Sequence, residues 1–221
     1  LHWTYLDEAK LPRMVFVNKM DRDNASFERV IDQLKTKFDA NFVPVQLPIG
    51  ARTTFKGVVD VIAQKAYLGP EGTEAAVPAD MAEQVKDAHT AMMEYVAETD
   101  DELMLKYLEG EELTPDEMRD GLVKAARSGS LVLVYAGSAT ANIGVKPLLN
   151  AVLKYCPSPA EAQRTAISEA TGEEVTLVTA ANGPLVAQVF KTLADPFVGK
   201  LSYYRVYSGT LTSDTRVQNA N

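Results

Sequence analysis

The sequence is poor in the residues that carry most side-chain chemistry. It has one cysteine, Cys156, so no disulfide can form within the chain. Cys156 stands between Tyr155 and Pro157 with no histidine near it, and reads as a packed, inert thiol. The two histidines, His2 and His89, have no carboxylate or thiol at metal-ligand spacing, so no metal site is expected. No run approaches the ~20 apolar residues of a membrane helix, and no membrane partner is expected. Positive charge is in deficit: 22 Lys and Arg stand against 30 Asp and Glu, a net charge of -8. Nucleic-acid phosphates repel such a surface, so no direct nucleic-acid surface is expected. The opening Leu1-His2-Trp3 has neither an initiator Met nor the look of a targeting presequence, and reads as a start inside a larger protein. With cysteine this scarce, a reducing, cytoplasmic location is expected.

Two further absences concern phosphate. There is no Gly-x-x-x-x-Gly-Lys-Ser/Thr loop and no Asp-x-x-Gly segment. Contacts to phosphate and metal carry nearly all of the catalysis in phosphoryl transfer. The chain by itself is therefore expected to have no catalytic residue, to hold no nucleotide tightly and not to hydrolyse one.

What is present reads as α/β. Residues 3–10 look like the end of a helix, with Trp3, Leu6 and Lys10 on one face, stopped at Pro12. Met14-Val15-Phe16-Val17 and Leu131-Val132-Leu133-Val134-Tyr135 are continuously apolar, as strands buried on both faces of a parallel sheet are. They are the two strands of a central sheet that the pattern identifies. A helix capped by Ser26 carries Phe27, Val30, Ile31, Leu34 and Phe38 at helical spacing. Residues 42–49 read as extended, 57–62 and 66–68 as two short strands, and 70–78 as a loop. From 80 to 127 the pattern is helical. A capping box with Pro at the first helical position, Thr114-Pro115-Asp116-Glu117, starts the last of three helices. Met81, Met92, Met93 and Met104 read as packing. A further helix is expected over 145–155. Pro157-Ser158-Pro159 opens a linker taken as 157–180, and beyond it the alternation at 185–191 and 201–207 predicts strands around an Asp195-Pro196 turn.

The chemistry lies where the two buried strands end. Asn18-Lys19-Met20-Asp21 follows the first, at the carboxyl end where α/β sheets bind ligands. Guanine presents two donors on one edge, N1–H and the N2 amino group, and one carboxylate accepts both. Asp21 is the candidate. Adenine has no such pair and would leave the carboxylate unmatched. Asn18 is placed to tie neighbouring loops together, and the Lys19 stem to lie over the base. Gly137-Ser138-Ala139 ends the second strand and is similar to the short Ser-Ala segment that GTPases place there, a resemblance that implies the backbone N–H groups of Ser138 and Ala139 meet the guanine O6. An ordinary polar turn would carry the same letters, but two such strand ends in this order favour a guanine pocket.

These residues resemble the translational GTPase elongation factor G. The similarity covers 12–25 with Asn18-Lys19-Met20-Asp21-Arg22 at its centre, Val43-Pro44-Val45-Gln46-Leu47-Pro48-Ile49-Gly50, Phe55-Lys56-Gly57-Val58-Val59-Asp60, 98–112, and Asp195-Pro196-Phe197-Val198-Gly199-Lys200-Leu201. The segment from Gly137 to Val145 is closer to a diverged elongation-factor-G-like paralogue. The resemblance implies the C-terminal part of a P-loop GTPase domain over 1–156. An inserted α+β subdomain would occupy about 42–130, and the N-terminal part of a β-barrel domain 181–221. It implies an intact protein that binds GTP or GDP with Mg2+, hydrolyses GTP on the ribosome and contacts the ribosomal stalk protein through the inserted subdomain. Two alternatives stand beside it: a ribosome-protection or release-type GTPase, and a segment acting only as a binding module for the stalk.

Overall fold

The computed structural model describes residues 2–9, 11–161 and 164–220. The chain divides into two compact units, Leu1–Cys156 and Pro157–Asn221.

The first unit opens with α1 (His2–Glu8) and β1 (Met14–Val17), then α2 (Phe27–Lys37). Lys10, expected on a face of α1, lies outside the described residues. Ser26 caps α2 by accepting a hydrogen bond from the Arg29 N–H at 3.2 Å. The Trp3 ring of α1 stacks on Phe38 at 4.2 Å and leans on Phe42, and the Arg13 guanidinium covers it.

The run 41–49 is extended as expected, but it is two strands in two sheets. β2 (Asn41–Pro44) and β3 (Gln46–Ile49) are separated by a bend at Val45. There the Val45 N–H donates to the Val134 carbonyl, while its own carbonyl accepts from Val61. The central sheet therefore has three strands rather than the two read from the sequence. Its order is β1, then β7 (Leu131–Ala136), then β2, all parallel.

β3 leads an antiparallel sheet with β4 (Gly57–Asp60), β5 (Lys65–Leu68) and β6 (Thr73–Ala75). β6 lies within 70–78, expected to be loop. It is a short, mostly exposed edge strand with too few apolar residues to announce itself. Three helices follow: α3 (Ala82–Ala97), α4 (Asp101–Leu108) and α5 (Pro115–Ser128). The Thr114–Glu117 capping box is formed, and Gly129 ends α5 in the left-handed region. β7 (Leu131–Ala136) then returns to the centre of the parallel sheet, buried along its whole length. α6 (Val145–Tyr155) closes the unit.

One contiguous apolar core runs from the parallel sheet into the helices, with Phe42, Met92, Met118, Leu122 and Leu133 fully enclosed. Met81 and Met92 are buried in it, as a packing role requires.

In the second unit β8 (Arg164–Ile167) pairs with β9 (Glu174–Leu177), a hairpin inside the stretch read as a linker. β10 (Val186–Asp195) and β11 (Gly199–Ser208) form a long hairpin. The Asp195 carboxylate shapes its turn by accepting from the Phe197 and Val198 N–H groups.

Candidate guanine-reading site

β1 and β7 are parallel neighbours with Val17 opposite Ala136, so their carboxyl ends lie side by side. The pairing continues beyond the strands: the Gly137 N–H donates to the Val17 carbonyl at 3.0 Å, and the Met20 N–H to the Gly137 carbonyl at 3.1 Å. Two loops far apart in sequence are thereby held edge to edge.

Asn18 joins them. Its Oδ1 accepts from the Lys19 N–H at 2.7 Å and from the Ala139 N–H at 2.9 Å, across 121 residues of sequence. Ser138 and Ile143 exchange two backbone hydrogen bonds, and the Ser138 hydroxyl accepts from the Ala141 N–H, which closes the second loop. Lys19 is exposed and sits at φ 62°, a left-handed conformation that costs a lysine roughly 1–2 kcal/mol. The loop holds it there because its neighbours are fixed. Asn18 is pinned by its side chain, and Met20, only 1% exposed, is anchored in the core.

Asp21 lies beside Ser138. The Ser138 hydroxyl holds its carboxyl below the usual carboxylate range; burial opposes this, and its own backbone N–H and Arg22 add smaller pulls downward. One oxygen, Oδ1, is enclosed yet accepts no hydrogen bond among the described residues. A buried acceptor without a donor is costly and uncommon. Asn18, Lys19, Asp21, Ser138 and Ala139 thus come together at one strand-end junction, with an ionised, under-satisfied carboxylate among them.

Gly137 was read as part of the strand-end motif, but its packing role, and the parts played by Gly144, Asn142 and Arg52, gave no signal in the sequence. A Cβ on Gly137 would fall 2.5 Å from the Ile143 carbonyl and 2.6 Å from the Phe16 ring. Gly144 has φ +78°, and a Cβ there would meet the Ala136 carbonyl at 2.4 Å. Asn142, at φ 55°, donates from Nδ2 to the Pro70 carbonyl, and the Arg52 N–H donates to the Met20 carbonyl. The antiparallel sheet and its loops are in this way tied to both strand-end loops. A glycine among small residues announces none of this before the fold is known.

The elongation factor Tu GTP-binding domain family model matches residues 1–158, most of the chain. The chain belongs to that family. It is therefore of the translation-factor GTP-binding type, a family that binds guanine nucleotide. A crystal structure of a protein from Thermus thermophilus is similar to it, with a TM-score of 0.75 and 34% identity over 94% of the chain. The chain spans 29% of the length of that protein. The family's guanine nucleotide fits the residues present at one end only. The orphaned Asp21 oxygen suits the base, whereas no group of three His, Cys, Asp or Glu side chains converges among the described residues to hold a metal ion. No helix among those residues is long and apolar enough to cross a membrane.

Proposed function

We propose that this chain supplies the guanine-reading half of the nucleotide site in a ribosome-dependent translational GTPase of the elongation factor G type. The intact protein would hydrolyse GTP and use the change to drive movement during protein synthesis. The observation that carries this reading is the enclosed, unpartnered Oδ1 of Asp21, beside a hydroxyl that keeps the carboxylate ionised. Guanine's N1–H and N2–H donate to such a carboxylate. Asn18 ties the two loops together, the Lys19 stem would cover one face of the base, and the Ser138–Ala139 backbone would lie at its O6 edge, although in this structure the Ser138 N–H is given to the Ile143 carbonyl and the Ala139 N–H to Asn18 Oδ1. Phosphate and magnesium contacts belong to sequence elements this chain lacks, so nucleotide binding by this chain alone is expected to be weak.

Titration of the intact protein with GTP and ATP tests the reading. GTP is expected to bind at least about a hundredfold more tightly, and Asp21→Asn to remove most of that preference. Equal affinity for both nucleotides, or an unchanged preference in Asp21→Asn, would sink it.

A second reading is favoured by α4, whose Leu105 and Leu108 are 61% and 73% exposed. Apolar side chains this open suit a docking surface for a ribosomal protein such as the stalk. Calorimetry with the C-terminal domain of the stalk protein tests it, and Leu105→Asp together with Leu108→Asp should abolish the heat of binding.

A further inference from the structure

A cavity of about 370 Å³, the size of a small-molecule site, lies on the β4–β5 hairpin beneath α6. It is separate from the guanine-reading loops; neither Asp21 nor Ser138 lines it. Its inner wall carries three oxygen groups with unused hydrogen-bonding capacity. Tyr135 and Tyr155 are each 4% exposed, line the cavity, and make no hydrogen bond among the described residues. Asp60 accepts from the Ile62 and Ala63 N–H groups at 2.9 and 2.8 Å, but both go to Oδ1, and Oδ2 accepts no hydrogen bond among the described residues. No cation lies at ion-pair distance from Asp60 among the described residues; burial pushes its carboxyl upward in pKa, opposed by the Ala63 and Ile62 N–H groups and by the charge of the more distant Lys154.

The mouth carries the opposite charge. Lys146 and Lys154 line the cavity, are exposed, and form no ion pair among the described residues, though the Lys154 charge reaches Asp60 from a distance. The Lys154 ammonium lies 5.2 Å over the Tyr155 ring rather than on Asp60. The acidic Glu74 at the rim is already paired with Lys65. Asp60 is half-buried, and neither its Oδ2 nor the two phenol hydroxyls is among the enclosed unpartnered atoms, so all three open onto the cavity and are free to meet a ligand's donors. Lysines at a mouth attract a negative group.

We propose that this cavity is a binding site for a small zwitterion of amino-acid size. Its ammonium group would sit on Asp60 and the two phenols, and its carboxylate would face Lys146 and Lys154. The Asp60 turn alone would account for Oδ1, but not for Oδ2, the two idle phenols or the unmatched lysines.

The test is a ¹H–¹⁵N NMR titration of the chain with L-leucine, β-alanine, spermidine and succinate. The two zwitterions are expected to move the amides of Gly72, Asn150 and Ala151 saturably, with dissociation constants on the order of 1 mM. Spermidine and succinate, each carrying one sign of charge, are expected to leave them in place. Asp60→Asn and the exposed Lys154→Met should each weaken zwitterion binding about tenfold or more. Should Asp60→Asn not fold, Lys154→Met and the volume-conserving Tyr135→Phe decide. No saturable shift up to about 10 mM zwitterion overturns the proposal. So does unchanged affinity in a folded variant, equal binding of spermidine or succinate, or a cavity holding water only.

Discussion

At the scale of single residues, the most telling atoms are those left without partners or without room. Gln46 is 1% exposed, and neither polar atom of its side chain has a hydrogen-bond partner among the described residues. A buried, unmatched amide costs about 1–3 kcal/mol. Gln46→Met keeps the volume and removes that cost, so it is expected to raise unfolding stability in urea by about 1 kcal/mol; a loss would mean the amide is satisfied in solution. Gly137→Ala acts the other way. Its Cβ would press on backbone at Ile143 and on the Phe16 ring, and a loss of about 2 kcal/mol or more is expected. Asp21 adds a dependence on pH. Its pKa is lowered in the fold, so whatever stability its ionised form contributes is present above the ordinary value of 3.8 and fades only as pH falls below it. Nucleotide affinity tied to this carboxylate should be flat from neutral pH down to about 5. A drop in affinity near pH 6 would assign the titration to another group. The motif residues themselves were legible, because chemistry fixes their letters. The unmatched amide of Gln46, the packing that requires glycine at 137 and the Asp60 cavity were not, since each depends on atoms distant in sequence.

Secondary-structure elements were legible where capping chemistry marks them. Thr114, Pro115 and Glu117 start α5 in the structure as in the sequence pattern, because each satisfies or lacks a backbone donor that the first turn leaves over. The elements that escaped are the short ones. β6 is a three-residue exposed edge, and β8 and β9 are polar four-residue strands. β2 and β3 look like one strand because the bend at Val45 is imposed by hydrogen bonds to Val134 and Val61. The cap of α5 also reaches α4. Glu117 accepts from the Thr114 N–H and hydroxyl and pairs with Lys106 at 2.6 Å. The Lys106 contact, then those from Thr114, lower its pKa to about 2. A depressed carboxylate contributes stability above its unfolded value and loses it as pH falls through the folded one. The α4–α5 pairing is therefore expected to weaken between about pH 4.5 and 2, with Glu117→Gln showing a shallower acid transition by circular dichroism. Thr114→Ala should cost about 1 kcal/mol at neutral pH.

Across the whole molecule, the two units are built on different terms. The first has an extensive core; in the second, β10 and β11 leave Val189, Phe190, Leu193 and Phe197 exposed. A two-stranded ribbon with little buried surface is marginal by itself. Amide exchange is expected to be slowest along β7 and faster by orders of magnitude along β10 and β11. Equal protection would show that the hairpin buries more in solution. The parallel sheet has another consequence, which concerns order in time. β7 is the central strand of its sheet and the last of the three in the chain. β1 and β2 emerge from the ribosome with nothing to lie between them until residues 45–130 have been made. At ~5–20 residues per second, the Asn18 loop waits several seconds for Ala139. Through that interval the nascent chain must carry β1 and β2 with their β7-facing edges unfilled, so a nascent-chain holdase would find its target there.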